Sequence, residues 1–159
     1  MMESEKMAEI PESSLIQTEI VLREMMLTDD VKMTRKSLVR WLALSLGLIS
    51  PKESRQSVLT LLEAILFYHL KEKRGPNYTD IVEYFKQQSM EMNEKTIRYH
   101  LTQLRKSGVL EDGRGIYKFI GFQGDNLAEA LEQSYKQKAN TAFSNIRTAV
   151  DVLKKMHEA

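Results

Sequence analysis

The stretch 93–120, NEKTIRYHLTQLRKSGVLEDGRGIYKFI, constrains the fold of this chain most. Asn93 is a typical N-cap residue, and the residues after it predict a helix to about Gly108. Four residues fall within roughly 60° on one side of that helix, namely Ile97, Leu101, Leu104 and Gly108. The sequence Asp-Gly-Arg-Gly at 112–115 lies between two apolar runs and predicts a tight β-hairpin, with strands Val109–Glu111 and Ile116–Ile120. A helix followed at once by a hairpin is therefore predicted.

The opposite side of the predicted helix is polar and basic. The residues on this side or flanking it are Lys95, Thr96, Arg98, Tyr99, Thr102, Gln103 and Lys106. Arg114 lies at the hairpin turn, and Lys118 follows on the second strand. Cations and hydrogen-bonding groups on a face that the core does not use are suited to contact with a polyanion.

The net charge of +1 hides a strong asymmetry along the chain. Residues 1–30 carry eight acids and two bases, a net charge of −6. Residues 31–55 carry six bases and one acid, and residues 93–118 carry six bases and three acids, giving +5 and +3. Local basic surfaces are therefore compatible with nucleic-acid binding despite the nearly neutral total. Arg35, Lys36 and Arg40 form either a phosphate-binding patch or, as the favoured reading, partners of the acidic segment before them.

The rest of the chain is predicted to be mainly helical. Residues 1–11 are acidic and expected to be disordered, and a helical extension follows over 12–49, with helices at 12–27 and from Thr34 to Leu46. The sequence Ser-Pro-Lys-Glu at 50–53 has the form of a capping box and predicts a helix start, with the helix running to about Lys73. A short helix over 80–88, capped by Thr79 or Asn77, precedes the opening stretch. The fold class is thus mainly α with a small β-hairpin.

Composition excludes several classes of protein. The chain has no cysteine, so neither a disulfide framework nor a thiolate metal site is possible, and a reducing cytoplasmic location is expected. The longest apolar run, 41–49, is too short to cross a membrane, and no signal peptide is recognisable. Three histidines lie far apart without ligand spacing, and no nucleophile motif or phosphate-binding glycine loop occurs. No metal, cofactor or enzymatic activity is therefore predicted, and a small-molecule effector is left open.

A long helix is predicted after a hinge at 121–124. It begins at Asp125 or Asn126 and contains no glycine or proline. Its apolar stripe consists of Leu127, Leu131, Tyr135, Ala139, Phe143, Ile146, Val150 and Leu153. A helix of about thirty residues spans ~45 Å, which is longer than a small domain is wide. The stripe over 122–159 is therefore expected to pair with a second copy across a two-fold axis, although folding back on its own chain is the alternative.

The order of these elements over 50–121 resembles the winged helix-turn-helix transcriptional regulators of archaea and bacteria. The residues that carry the resemblance are Thr96, Ile97, Arg98, Tyr99, His100, Leu101, Leu104, Gly108, Val109 and Leu110. The resemblance implies that the helix over 93–108 enters a major groove of double-stranded DNA and that the hairpin is the wing. It also implies DNA contacts by Lys95, Arg98, Tyr99 and Arg114, and dimerisation by the C-terminal helix.

The leading hypothesis is a homodimeric, sequence-specific DNA-binding protein of the cytoplasm that associates with the nucleoid. The predicted DNA interface also includes the residues near these contacts, namely Thr96, Thr102, Gln103, Lys106 and Lys118. The alternative is a module that uses the same fold to bind another protein in a larger assembly. Single residues have simpler alternatives too, because the lysines could be ordinary solvated charges and Arg114 only a turn residue. His100 is expected to be a packed core histidine, and Trp41 is expected to belong to the core.

Overall fold

The computed structural model describes residues 11–159, so the predicted disordered N-terminus lies outside it except for Pro11. Over the described residues the chain is mainly helical with one antiparallel two-stranded hairpin, as predicted. Its elements are α1 (Arg35–Ser45), α2 (Gln56–Leu70), α3 (Tyr78–Gln87), α4 (Glu94–Lys106), β1 (Leu110–Gly113), β2 (Ile116–Phe119) and α5 (Leu127–Glu158), with short 3-10 turns at Glu12–Leu15 and Val31–Met33. No helix within residues 11–159 is long and apolar enough to cross a membrane.

The predicted helix over 12–27 is wrong. Only a 3-10 turn forms at its start, and residues 16–28, here called the N-terminal segment, have no regular secondary structure. Arg23 explains why: its backbone N–H donates to Ser45 O at 2.8 Å, and its guanidinium donates to Leu44 O and Ile49 O at 2.6 and 3.1 Å. These tertiary bonds replace the intrahelical ones and satisfy carbonyls at the C-terminal end of α1.

The predicted second helix is confirmed as α1. The Thr34 side chain accepts a hydrogen bond from the Ser37 backbone N–H at 3.1 Å and caps the helix. Gly47 follows the helix with a φ of +69°, as predicted for the residue that ends it. A Cβ atom on Gly47 would lie 2.5 Å from Val21 O, so this glycine also lets the N-terminal segment approach closely.

The helix start predicted at 50–53 is also wrong, because α2 begins at Gln56. The Glu53 carboxylate accepts hydrogen bonds from the backbone N–H and the guanidinium of Arg55 instead of reaching back to Ser50. These bonds and the field of the Arg55 cation lower the pKa of Glu53 to about 2. Arg40 of α1 donates to the carbonyls of Glu53 and Pro51, which holds the loop before the helix.

Helix α2 forms the centre of the core. Leu61 and Ile65 on α2 are completely buried, as are Ile81 and Phe85 on α3. The cluster continues through the inner face of α4 to Phe119 on β2. Burying a large aliphatic or aromatic side chain contributes roughly 1.5–3 kcal/mol, so this cluster holds the three helices and the hairpin together. The short helix α3 starts with a complete capping box of Asn77 and Asp80.

The predicted hairpin is confirmed, with slightly different strand ends. Gly113 pairs with Ile116, so Arg114 and Gly115 form a two-residue turn, with φ angles of +56° and +78°. Two positive φ angles are characteristic of the type I′ turn that matches the strand twist. Residues 76–77 lie along the other edge of β2, where the Tyr117 N–H donates to Pro76 O at 2.8 Å.

The last helix, α5, has 32 residues and spans about 48 Å. Gly121 and Gly124 precede it with φ angles of +83° and +70°, at the predicted hinge. Leu127, Ala130 and Tyr135 are buried against the rest of the chain. Every residue from 140 to 159 is exposed, so the second half of α5 extends away from its own core.

Candidate nucleic-acid interface

Helix α4 is held with one face inward. Its buried residues are Ile97, His100, Leu101 and Leu104. The His100 Nε2 atom lies 3.0 Å from Ser57 Oγ on α2, and burial lowers the pKa of His100. The Asn93 side chain accepts from the Thr96 backbone N–H at 3.1 Å and caps the helix. His100 is thus a packed histidine, as predicted, and the opposite face of α4 is turned to solvent.

The exposed face of α4 carries most of the predicted interface residues. Those that are exposed are Lys95, Arg98, Tyr99, Thr102, Gln103 and Lys106, whereas Thr96 is half-buried. The Tyr99 side chain is 52% exposed, which is a large fraction for an aromatic residue. The Thr102 hydroxyl donates to Arg98 O at 3.0 Å and keeps its oxygen lone pairs available as acceptors.

Two groups that the sequence analysis overlooked hold Arg98 in place. Its Nε atom lies 3.1 Å from Glu94 Oε1, four residues earlier on the helix. Its guanidinium carbon lies 4.0 Å from the centre of the Tyr78 ring. An exposed pair at this spacing on a helix is weak, so Arg98 can leave Glu94 for a phosphate or a base at little cost. The spacing of Glu94 and Arg98 was visible in the sequence, whereas the contact with Tyr78 was not.

The hairpin adds basic side chains beside α4. Arg114 is exposed at the tip, and Lys118 on β2 faces Glu111 across the strands, with Nζ and Oε1 3.5 Å apart. Arg105, which the sequence analysis did not include, is exposed in the last turn of α4 with its Nη1 3.6 Å from Asp112 Oδ2. The ion pair between Arg105 and Asp112 connects α4 to the hairpin.

The cations of this region differ in whether a carboxylate accompanies them. Within residues 11–159, Arg98, Arg105 and Lys118 each have a carboxylate oxygen within 4.0 Å. Lys95, Lys106 and Arg114 have none in the described part of the chain. The surface formed by α4 and the hairpin, here called the α4 face, therefore offers three uncompensated positive charges.

A buried histidine fastens the hairpin to the core. His69 Nδ1 lies 2.7 Å from Ile65 O, and the Phe119 backbone N–H donates to His69 Nε2 at 3.1 Å. Because one nitrogen faces an acceptor and the other faces a donor, the ring is the neutral tautomer with hydrogen on Nδ1. Burial lowers the pKa of His69. No sequence pattern had indicated this role.

The basic residues of α1 do not pair with the acidic segment before them within the described part of the chain, contrary to the favoured prediction. Arg40 binds the loop carbonyls described above, and Arg35 Nη1 lies 4.0 Å from Glu63 Oε1 on α2. Trp41 is half-buried rather than in the core, and its Nε1–H donates to Met26 O at 2.7 Å.

The predicted dimerisation stripe divides into two parts. Leu127 and Tyr135 are buried and Leu131 is half-buried against their own chain. The Tyr135 hydroxyl donates to Leu46 O, and burial raises the pKa of Tyr135 to about 12. Ala139 is half-buried, and the remaining residues, Phe143, Ile146, Val150 and Leu153, are 51–56% exposed.

Neither a metal centre nor a known relative identifies this protein further. No group of three or more potential metal ligands occurs among residues 11–159. No known protein family matches the sequence, and no curated protein or solved structure is significantly similar to the chain.

Proposed function

We propose that this chain binds double-stranded DNA through the α4 face, as a homodimeric winged-helix transcription regulator. In this proposal α2, α3 and α4 are the three helices of a winged helix-turn-helix, and the β1–β2 hairpin is the wing. The order of the elements supports it, as does the pairing of residues 76–77 with β2, which ties the start of α3 to the hairpin.

The observation that carries the proposal is the division of α4 into a buried apolar face and an exposed basic one. A helix of 13 residues is about 20 Å long and fits a major groove about 12 Å wide. Lys95, Arg98 and Tyr99 lie in its first turns, which approach base edges in this class of interface. Arg98 would contact guanine in a bidentate manner, and Lys95 and Lys106 would neutralise phosphates.

The hairpin would extend the interface along the DNA backbone. Arg114 lies at the tip of a two-residue turn, where its side chain is exposed. A cation at such a tip can reach a phosphate or enter the adjacent minor groove without disturbing the strands. Lys118 and Arg105 would add charge on either side once they exchange their carboxylate partners for phosphates.

The exposed half of α5 supports the homodimer. Phe143, Ile146, Val150 and Leu153 are spaced by three and four residues, as in the seam of a coiled coil. A contiguous exposed apolar stripe of this kind marks an interaction surface. Pairing with a second copy would bury it and would present two α4 faces to a palindromic site.

The experiment is a titration of labelled mixed genomic DNA fragments at several salt concentrations. We expect Lys95→Ala/Arg98→Ala to weaken binding and to lower the slope of log K against log salt by about 1, since one phosphate contact, that of Lys95, is lost and the contact of Arg98 with bases does not enter the slope. Lys154→Ala/Lys155→Ala removes the same charge at the exposed end of α5 and should leave the slope unchanged. Equal slopes for wild type and the α4 double variant would contradict the proposal.

A second candidate function is binding to a protein partner through the same face. It is favoured by the fact that Arg98, Arg105 and Lys118 are already accompanied by carboxylates. Retention on heparin and on immobilised genomic fragments near physiological salt separates the two candidates, because a protein-binding module would pass through both columns.

A further inference from the structure

An apolar groove of about 750 Å³ lies between α1, α2 and the N-terminal segment. This groove, here called the α1–α2 groove, is formed by parts of the chain that do not belong to the α4 face. Its apolar lining includes Leu38, Trp41, Leu42, Leu66, Phe67 and Leu70. Pockets of 300–1,000 Å³ with mostly apolar walls and a few polar groups are typical small-molecule sites.

One edge of the groove is held by a defined contact. The Trp41 Nε1–H donates to Met26 O at 2.7 Å, and Leu27 and the 3-10 turn Val31–Met33 continue that edge. Because the indole nitrogen is satisfied by the chain itself, Trp41 offers only its apolar ring to an occupant. This hydrogen bond fixes the orientation of the Trp41 ring in the wall of the groove.

The charged residues of the groove are predominantly basic. Among residues 11–159, the lining includes the cations Lys32, Arg35 and Lys71 and a single carboxylate, that of Glu63. Arg35 lies 4.0 Å from Glu63 and compensates it. Lys32 is 3.7 Å from Asp29, whose side chain is fully exposed and is not part of the lining. With Asp29 included, three cations and two carboxylates leave a charge of +1 beside an apolar interior, and Lys71 has no carboxylate oxygen within 4.0 Å among residues 11–159.

This charge disfavours the exposed half of α5 from a second copy as the occupant, because that half is itself net positive. The apolar stripe of that helix half is accompanied by Arg147, Lys154 and Lys155, against Asp151 and Glu158. Two basic surfaces would face each other, which is unfavourable. The complementary occupant has an aliphatic body and a negative head group.

We propose that the α1–α2 groove binds a small amphipathic carboxylate, with its aliphatic chain against Trp41 and Leu66 and its head group near Lys32 and Lys71. The proposal does not depend on DNA binding. The hydrophobic contacts supply most of the affinity, and the cations select the sign of the head group.

The single tryptophan of the chain provides the assay. Trp41 lies in the wall of the groove, so a dodecanoate that carries a terminal bromine should quench its fluorescence when it binds. We expect saturable quenching below micelle-forming concentrations. Unlabelled compounds should displace the brominated dodecanoate with decreasing strength in the order dodecanoate, dodecanol, dodecyltrimethylammonium. Absence of quenching, or equal competition by all three compounds, would overturn the proposal.

Matched variants test the role of the cations. Lys32→Gln/Lys71→Gln should weaken dodecanoate binding about threefold to tenfold and leave dodecanol binding unchanged, because two exposed ion pairs are lost. Lys154→Gln/Lys155→Gln should leave both unchanged. Equal dodecanoate affinity in the groove variant would refute the carboxylate assignment. If the Trp41 emission changes with protein concentration but does not change when dodecanoate is added, the occupant is a second copy of the chain and the proposal is wrong.

Discussion

The replacement Gly75→Ala tests how the hairpin is held against the start of α3. Gly75 is buried, and a Cβ atom there would lie 2.5 Å from the backbone oxygen of Tyr117 and 3.0 Å from Lys118 Cβ. The backbone oxygen cannot swing aside as a flexible side chain can. The segment 75–77 would therefore have to move away from β2.

The structure supplies the size of the effect. Moving the segment weakens the hydrogen bond from the Tyr117 N–H to Pro76 O, which is 2.8 Å long and contributes about 1 kcal/mol. Crowding of a packed site costs a further 1–3 kcal/mol or so. We expect the free energy of unfolding to fall by about 2–4 kcal/mol. The sign of the stability change distinguishes a crowded site from an open one. Gly75 does not have a positive φ, and alanine at an uncrowded glycine of this kind would stabilise the fold by about 0.4–1 kcal/mol.

Urea unfolding followed by circular dichroism measures this free energy, with Gly113→Ala as the matched control. Gly113 also lacks a positive φ, and nothing lies within 4 Å of the position its Cβ would take. We expect the control to change stability by no more than about 0.5 kcal/mol in the destabilising direction. A Gly75→Ala variant as stable as Gly113→Ala, or more stable than wild type, would show that residues 75–77 are not packed against the hairpin as described.

Three further predictions concern the turn, the N-terminal segment and the buried histidines. Arg114→Asn should stabilise the chain by about 0.5–1 kcal/mol in urea unfolding, because asparagine tolerates a φ of +56° better than arginine does. The same variant should bind DNA more weakly, and stronger binding would show that Arg114 is not part of the interface. Arg23→Ala should lower the free energy of unfolding by about 2–3 kcal/mol, because two carbonyls lose a charged donor; Arg147→Ala on the exposed helix is the control. Burial lowers the pKa of His69 and of His100, so the unfolded chain binds protons below pH 6.5 that the folded chain excludes. The free energy of unfolding should therefore be smaller at pH 5.5 than at pH 7.5, and equal values would contradict this.

The features that could be predicted from the sequence are local ones. Thr34 and Asn93 cap the helices that they were expected to cap, and the Asp-Gly-Arg-Gly sequence forms the expected tight turn. The polar side of α4 is exposed as its periodicity indicated. Each of these outcomes depends on interactions within a few residues, so a single stretch of sequence contains the information.

The wrong predictions fail where distant residues compete for the same groups. Residues 12–27 have helical periodicity, but Arg23 binds the carbonyls of Leu44 in α1 and of Ile49 after it, more than twenty positions away. At 50–53, Arg40 of α1 takes the loop carbonyls, and the nearby Arg55 takes the Glu53 carboxylate that the capping box would have used. Local propensity differs by a few tenths of a kcal/mol per residue, whereas a hydrogen bond from a charged donor contributes about 1.5–3 kcal/mol, so the part-buried contacts of Arg23 and Arg40 prevail.

By itself, the sequence determined the order of the elements from α1 onward, the caps at Thr34 and Asn93, the hairpin turn and the polarity of α4. Only the tertiary structure decided that His69 joins α2 to β2 and that Gly75 must lack a side chain. It also decided that the stripe of α5 packs against its own chain up to Ala139 and is exposed from residue 140 onward. Periodicity identifies which side of a helix is apolar. What covers that side depends on how far the rest of the fold extends along the helix, and here the core covers less than half of a 48 Å helix.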